Sequence, residues 1–389
     1  MVKGEGVYLY DHKGRDYLDF YSGVSVHALG HCHPELVATI QEQVATLQHT
    51  TTIYLNESLV LLAEALANFL PGNLSRSFFC ASGTEAVEGA CLLATLHTGR
   101  SEFIALQNGL HGRTKLGMSL TGLSFWRTDP HPVGGIHHIP NARFFSENIT
   151  QQTVAHLQST IATATSGKIA AFIAEPIQGN GGIVTPPQDY FRAIYEVVKS
   201  AGGLFVVDET QTGFGRTGYN LAIDYYGVVP DIVCGGKALG GGTPCGFFTT
   251  NDHVAQSYTR PGASTFGGNP VTAEAGRKFL EIVVRDQLVE KSREQGAFVQ
   301  KLLGELQQKF CDHICDVRGR GLMWGMEVTS DFPLDDVLEE CKNQGLLLGK
   351  TGANRNVITM MPPLIVTNEQ LQQGVEILQR ALQSCTASC

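Results

Sequence analysis

Lys237 stands in the run Gly235-Gly236-Lys237-Ala238-Leu239-Gly240-Gly241-Gly242, ringed by five glycines and preceded by residues 231–234, which read as a buried strand. An ordinary solvated lysine sits on a helix face among other charges. One held by glycine-rich backbone beside a buried strand is desolvated, and a desolvated amine is a nucleophile towards carbonyls. Walker-type phosphate cradling does not apply, because no Ser or Thr follows the lysine. Asp208 and Glu209 end a second apolar run, residues 204–207. That is the edge at which open α/β sheets bind ligands. A carboxylate buried there needs a partner, and a helix cap or salt bridge is the plain alternative.

Two more segments carry chemistry. In Cys80-Ala81-Ser82-Gly83-Thr84-Glu85-Ala86, Ser82 and Glu85 have capping-box spacing. The same helix start can aim N–H groups and a dipole at a phosphate. Gly109-Leu110-His111-Gly112-Arg113-Thr114 is either a plain loop or one that offers a planar guanidinium to a substrate carboxylate. Two motifs are set aside. Gly213-Phe214-Gly215-Arg216-Thr217-Gly218 matches GxGxxG, but its strand ends at Val207, no long helix opens at Gly218, and Asp231 is too near for a ribose acid. His31-Cys32-His33 is expected to be a structural turn, since adjacent residues cannot comfortably ligate one metal and no CxxC or HExxH partner exists. No metal is expected.

The elements that must position these residues follow from periodicity. Residues 6–20 read as two short strands with a turn at 11–14. Residues 34–48 and 56–70 read as helices, the second stopped by Pro71-Gly72. From 77 to 248 short apolar runs alternate with amphipathic helices; strand 168–174, helix 188–201 and strand 204–207 form a βαβ unit, which builds parallel sheet. After Asn269 a long helical stretch over 271–310 leads to a strand at 322–328, a helix at 333–343, a strand at 357–361 and a helix from 368. This predicts a large α/β domain and a smaller one joined by the N-terminal fifty residues.

Composition narrows the class. The 389 residues are 43% hydrophobic and 17% charged, which fits a globular chain with a sizeable core. A net charge of -9 argues against nucleic-acid or anionic-membrane binding. Ten cysteines are far too few for a disulfide scaffold, which takes roughly 8–10%; Cys311/Cys315 and Cys385/Cys389 are expected to be thiols. With no apolar run near the ~18 residues of a membrane span, a cytoplasmic enzyme is expected. The 44 glycines follow no repeat, so each is expected to serve a turn or close backbone approach.

In order along the chain, GVYLYDHKGRDYLDF, LGHCHP, SGTEA, LHGRT, EPIQG, VVDETQTGFGRTG, GGKALGGG, STFGGNP and MPPL resemble the class III aminotransferases of the ornithine, acetylornithine and γ-aminobutyrate type. Asp208 and Lys237 are 29 residues apart, as in that family's pattern. The resemblance implies an α/β fold of the fold-type-I pyridoxal-phosphate kind. A mainly parallel seven-stranded sheet would fill a large domain at 51–270. The small domain would be 271–389, with 1–50 packing against it. It implies pyridoxal 5'-phosphate as cofactor, held by Lys237 as a Schiff base, with Lys237 also moving the substrate proton. Asp208 would keep the pyridine nitrogen protonated, and Gln211 would bond the ring oxygen. Ser82, Gly83 and Thr84 would bind the phosphate, and Thr265 would reach it from the partner subunit of a homodimer. Leu110, His111 and Glu175 would lie beside the cofactor; Arg113 would take the substrate carboxylate, with Tyr21 and Asn180 in the substrate pocket.

The implied activity is ping-pong transamination between an ω-amine or its aldehyde and a keto acid. An epimerase, aminomutase or decarboxylating enzyme is the alternative within the fold, and an NAD-dependent oxidoreductase rests on the GxGxxG match alone. The chain departs from the family at named positions. Leu110 replaces the ring-stacking Phe or Tyr, and Thr210 replaces a branched aliphatic residue. Asn180 and Thr359 replace the Glu–Arg pair associated with 2-oxoglutarate, with Arg355 the nearest substitute. Val24 replaces the ornithine-recognising tyrosine. Related enzymes carry a segment before the GEGVYLYD-like strand, so a longer parent chain is expected.

Overall fold

A computed structural model describes residues 1–386. Its centre is a seven-stranded sheet in the order Arg76–Cys80, Gly246–Thr250, Ile232–Gly236, Leu204–Asp208, Ala171–Ala174, Phe103–Leu106, Ile136–Ile139. Gly246–Thr250 runs antiparallel to both its neighbours, and the four strand pairs from Ile232–Gly236 to Ile136–Ile139 are parallel. Strands covered on both faces are apolar throughout rather than alternating. Ala171–Ala174 and Leu204–Asp208 show this, with every residue buried.

Helices cover the sheet where their apolar stripes allow. Tyr190–Ser200 buries Tyr190, Ile194 and Val198, one stripe at i, i+4, i+8, with Phe191 edge-on to Phe205 of the neighbouring strand. Gly83–Thr98 begins at Ser82, whose hydroxyl accepts from the Glu85 amide, while Glu85 accepts from the Ala81 amide at 2.6 Å. The Ser82 half of the cap read from the spacing is formed, whereas Glu85 reaches the amide one residue before the N-cap instead of that of Ser82.

Two smaller sheets lie outside this layer. Ile314–Arg320, Met323–Val328, Val357–Met360 and Gly349–Thr351 form an antiparallel sheet. Lys3–Glu5, Tyr8–Tyr10 and Asp16–Asp19 form a meander whose fourth strand is Leu346–Leu347, with Leu346 opposite Leu18. The expected single helix over 271–310 is two, Pro270–Arg285 and Leu288–Lys309. Gln287 between them has φ 52°, left-handed, which no helix accepts. Neither Gly nor Pro marks that break. Among the described residues no helix is long and apolar enough to cross a membrane.

Candidate active site

The parallel strands deliver the chemistry to one edge of the sheet. Asp208 is the last residue of its strand, Lys237 follows Ile232–Gly236, and Glu175 follows Ala171–Ala174. Ser82 follows Arg76–Cys80, and the loop after Phe103–Leu106 brings Leu110, His111 and Arg113. These residues, with Gly83, Thr84, Gly112, Thr210 and Gln211, line a cavity of about 330 Å³. That is within the range of small-molecule sites.

Buried polar groups around the cavity are held by each other. His111 Nδ1 lies 3.0 Å from Asp208 Oδ2, and the Thr210 amide donates to Asp208 Oδ1 at 3.1 Å. Glu175 accepts from the Leu110 amide at 2.8 Å and the Gly179 amide at 3.1 Å. Gln211 Nε2 is 3.4 Å from the Met361 sulfur, which also receives the Ser25 hydroxyl at 3.1 Å. His111 Nε2 and Thr210 Oγ1 are buried with no protein partner. Such orphans in a cavity ask for a ligand, since an unmade buried hydrogen bond is costly.

Burial pushes the Asp208 carboxyl up, but the hydrogen bond and charge of His111 outweigh it and leave it below its ordinary value. Asp208 is therefore a resident anion. Burial raises Glu175 to about 7, His111 lowering and Asp208 raising it in turn. Burial lowers Lys237, opposed by the negative charges of Asp208 and Glu175. The net direction favours free amine, the form that attacks a carbonyl. Lys237 also has φ 42°; a non-glycine residue in the left-handed region stores strain of the kind that collects at functional sites.

Glu209 is buried in a separate niche, accepting from Thr212 Oγ1 and the Ile223 amide, and burial raises it to about 7. An unfolded glutamate ionises near 4.3. Between these values the native state binds the extra proton, so stability falls as pH rises through the window. We expect the melting temperature of Glu209→Gln, relative to the parent, to climb from pH 4.5 to 7 and then level off. A difference independent of pH would mean that the native carboxyl is already ionised.

Other residues singled out from the sequence lie elsewhere. Thr265 is exposed and outside the cavity lining, next to Phe266, which is 65% exposed and touches the His49 ring. Tyr21 packs on Ile177, Ile183, Met323 and Met361 and abuts Gly349, also outside the lining. The Asn180 carbonyl accepts from the Gly352 amide, and its side chain is not at the cavity wall. Thr359 is fully buried with its hydroxyl 2.6 Å from that of Thr351. Arg355 is exposed, over the Phe125 ring and donating to the Lys350 carbonyl.

The glycine expectation needs correction. Of the five around Lys237, Gly236 abuts Gly83 at the cavity; Gly235 makes room for Phe247, Gly240 for Cys245, Gly241 for Leu36 and Gly242 for His27. They serve core packing more than ligand approach. The Gly213–Gly218 segment is a turn with no helix after it, and Gly215 and Gly218 accommodate Val289 and Arg293 of the Leu288–Lys309 helix. His31 bonds Asp19 at 2.8 Å, and Cys32 is exposed with φ 53°. Cys311 and Cys315 are free thiols, whereas Cys389 lies outside the described residues.

Sequence reading missed the turn beneath Tyr21. Ser22, Gly23, Val24 and Ser25 all have left-handed φ values, 49°, 58°, 63° and 66°. Asp19 Oδ1 holds it by accepting from the Tyr21 and Ser22 amides at 2.9 Å, and the Ser22 hydroxyl donates to the Met361 carbonyl at 2.7 Å. One glycine among four such residues is too weak a signal to find it. The sulfur contact of Met361 with Gln211 has no sequence signal at all.

Comparison with known proteins gives the family. The family model for class III aminotransferases matches residues 1–382. An alanine–glyoxylate aminotransferase 2 homologue of Arabidopsis thaliana, a mitochondrial protein, is 39% identical over 98% of this chain and 82% of its own. An acetylornithine aminotransferase of Methanosarcina acetivorans is 36% identical over 98% of this chain and 91% of its own. Among solved structures, an amine transaminase from an uncultivated Pseudomonas species, in its pyridoxal-phosphate-bound form, superposes with a TM-score of 0.93 at 28% identity, covering 99% of this chain and 94% of that one. The chain therefore belongs to the class III aminotransferases, pyridoxal-phosphate enzymes that transfer amino groups between amines and keto acids.

Proposed function

We propose that Lys237 and Asp208 are the catalytic pair of this transaminase, and that it acts on a terminal amine or its aldehyde. The observation that carries the assignment is the pairing of a desolvated amine with a buried, His111-bonded carboxylate across one small cavity. The residues present fit the cofactor: His111 Nε2 and Thr210 Oγ1 are buried at the cavity with no partner among the described residues. Bound pyridoxal phosphate supplies the carbonyl and the electron-withdrawing ring that this chemistry needs.

The chain's own residues do the rest. Lys237 would anchor the cofactor through its amine and carry the substrate proton at its Nζ. Asp208, kept ionised by His111, would favour a protonated ring nitrogen. Gln211 would bond the ring oxygen, and Leu110, Thr210 and Glu175 would line the space around the ring. First-turn amides of the helix at Ser82, Gly83 and Thr84 face the phosphate, because a helix start has no acceptors of its own for them. Asn180 and Tyr21 stand outside the cavity lining, so a part in substrate binding would fall to them only beyond it.

A homodimer completes this reading, with Thr265 reaching the partner's phosphate. Exposed apolar side chains support it: Ile53 is 81% exposed, Tyr54 68% and Leu55 92%, a load uncommon on a lone surface. The division into 1–50 with 271–389 against 51–270 is supported by the Leu346–Leu347 strand, which joins the N-terminal meander. Burial of Cys80, Cys91, Cys234, Cys245 and Cys341 as free thiols supports a reducing, cytoplasmic setting.

Arg113 is the carboxylate anchor in this proposal. Arg113 is exposed at the cavity, and its guanidinium bonds no protein group among the described residues. We expect Arg113→Ala to raise KM for a carboxylate-bearing substrate about 10- to 100-fold, the worth of a charge-assisted bond. KM for a neutral amine should change less than about threefold. Steady-state kinetics on both substrates check this, and equal effects would make Arg113 structural.

A further inference from the structure

The hydroxyl of Thr84 sits where a phosphate ligand would be expected, yet its hydrogen bonds are used within the protein. Its Oγ1 accepts from the Arg113 amide at 3.1 Å and from the Thr114 amide at 3.3 Å, and lies 3.2 Å from Thr114 Oγ1. A hydroxyl has two acceptor lone pairs and one donor hydrogen. Both lone pairs are taken by the two amides, so the contact with Thr114 is made by Thr84 donating. Thr114 Oγ1 also accepts from the Gly117 amide at 3.2 Å, capping the Lys115–Leu120 helix, and has room for that second hydrogen bond. No hydrogen on Thr84 Oγ1 is left for an anion.

The fit around this hub is close. A Cβ on Gly112 would lie 2.1 Å from Thr84 Oγ1 and 2.6 Å from its Cβ, and Gly112 has φ 122°. The chain at Gly112 is pressed against Thr84, and the next residue is Arg113. The side chain of Arg113 makes no bond that would place it; its backbone is placed by Thr84.

We infer that Thr84 is a positioning residue for Arg113, fixing the substrate-carboxylate arginine to the start of the helix that carries the phosphate amides. The inference rests on the proposed role of Arg113. It moves the Thr84 side chain from cofactor binding to substrate selection and leaves only its backbone amide to the phosphate. It also ties the two ends of the site together through one hydroxyl, so that cofactor cradle and substrate anchor keep a constant separation.

The test compares Thr84→Val, Thr84→Ala and Thr84→Ser with Arg113→Ala in the full chain. Two quantities are read: the dissociation constant of pyridoxal phosphate from apoprotein, by fluorescence titration, and the ratio of KM for a carboxylate-bearing donor to KM for a neutral amine. The expected result is a ratio raised about tenfold in Thr84→Val with cofactor affinity within about threefold of the parent, and a ratio restored to the parent's in Thr84→Ser. Thr84→Ala gives the same split if the valine packs badly. A cofactor affinity lowered tenfold or more with an unchanged ratio makes the hydroxyl a phosphate ligand and overturns the inference. An unchanged ratio in Arg113→Ala overturns the carboxylate role of Arg113 itself, and the inference with it; a changed ratio there alongside an unchanged one in Thr84→Val overturns the inference alone.

Discussion

Replacing Lys237 with alanine removes the visible absorbance of lysine-bound cofactor and lowers turnover by at least about 10⁴-fold. Two functions are lost at once. Proton transfer by a positioned group is worth roughly 10²–10⁴ by itself, and the covalent anchor goes with it. No neighbour can take over: the other titratable groups lining the cavity are the carboxyls of Asp208 and Glu175, the His111 ring committed to Asp208, and the outward guanidinium of Arg113. The check is an absorbance spectrum of reconstituted protein together with single-turnover rates. A variant that kept both colour and turnover would remove Lys237 from the mechanism and with it the reason for its left-handed, desolvated setting.

Asp208→Asn should be nearly as damaging, with kcat down by about 10³- to 10⁴-fold and cofactor still bound. An ion pair at about 3 Å in an effective dielectric of about 20 is worth ~5.5 kcal/mol before desolvation. That corresponds to about four pKa units on the ring nitrogen. Asparagine preserves the shape and leaves an oxygen for the His111 ring, so folding is retained and only the charge is lost. The measurement that separates charge from shape is a pH titration of the cofactor spectrum, in which the ring-proton step of the variant moves to lower pH. A variant with the parent's titration and rate would show that the carboxylate serves the fold alone.

Much of this site was legible because its residues adjoin strong local signals. Asp208 and Lys237 follow buried apolar strands, and Ser82 and Glu85 announce a helix start by spacing alone. The antiparallel insertion of Gly246–Thr250 and the break at Gln287 were not legible, since neither changes periodicity. Contacts that join distant segments were hidden altogether. Thr84 to Arg113 and Met361 to Gln211 depend on where loops land after folding, and their residue types are those of any ordinary loop or strand. Glycines misled in a physical way. A missing Cβ serves a neighbouring phenylalanine as readily as a phosphate, and Gly235 against Phe247 shows the former.

The meander at the start of the chain has a consequence for how the protein is made. Leu18 and Phe20 are buried, and their strand is completed by Leu346–Leu347. A ribosome adding roughly 5–20 residues per second leaves the opening strands without their last neighbour for on the order of 15–65 seconds. Over that interval the apolar side chains of the first segment stand uncovered on an edge open to any other strand. Birth order and packing order are opposed in this segment: the meander is made well before the strand that finishes it, and it stays open to mispairing until that strand arrives.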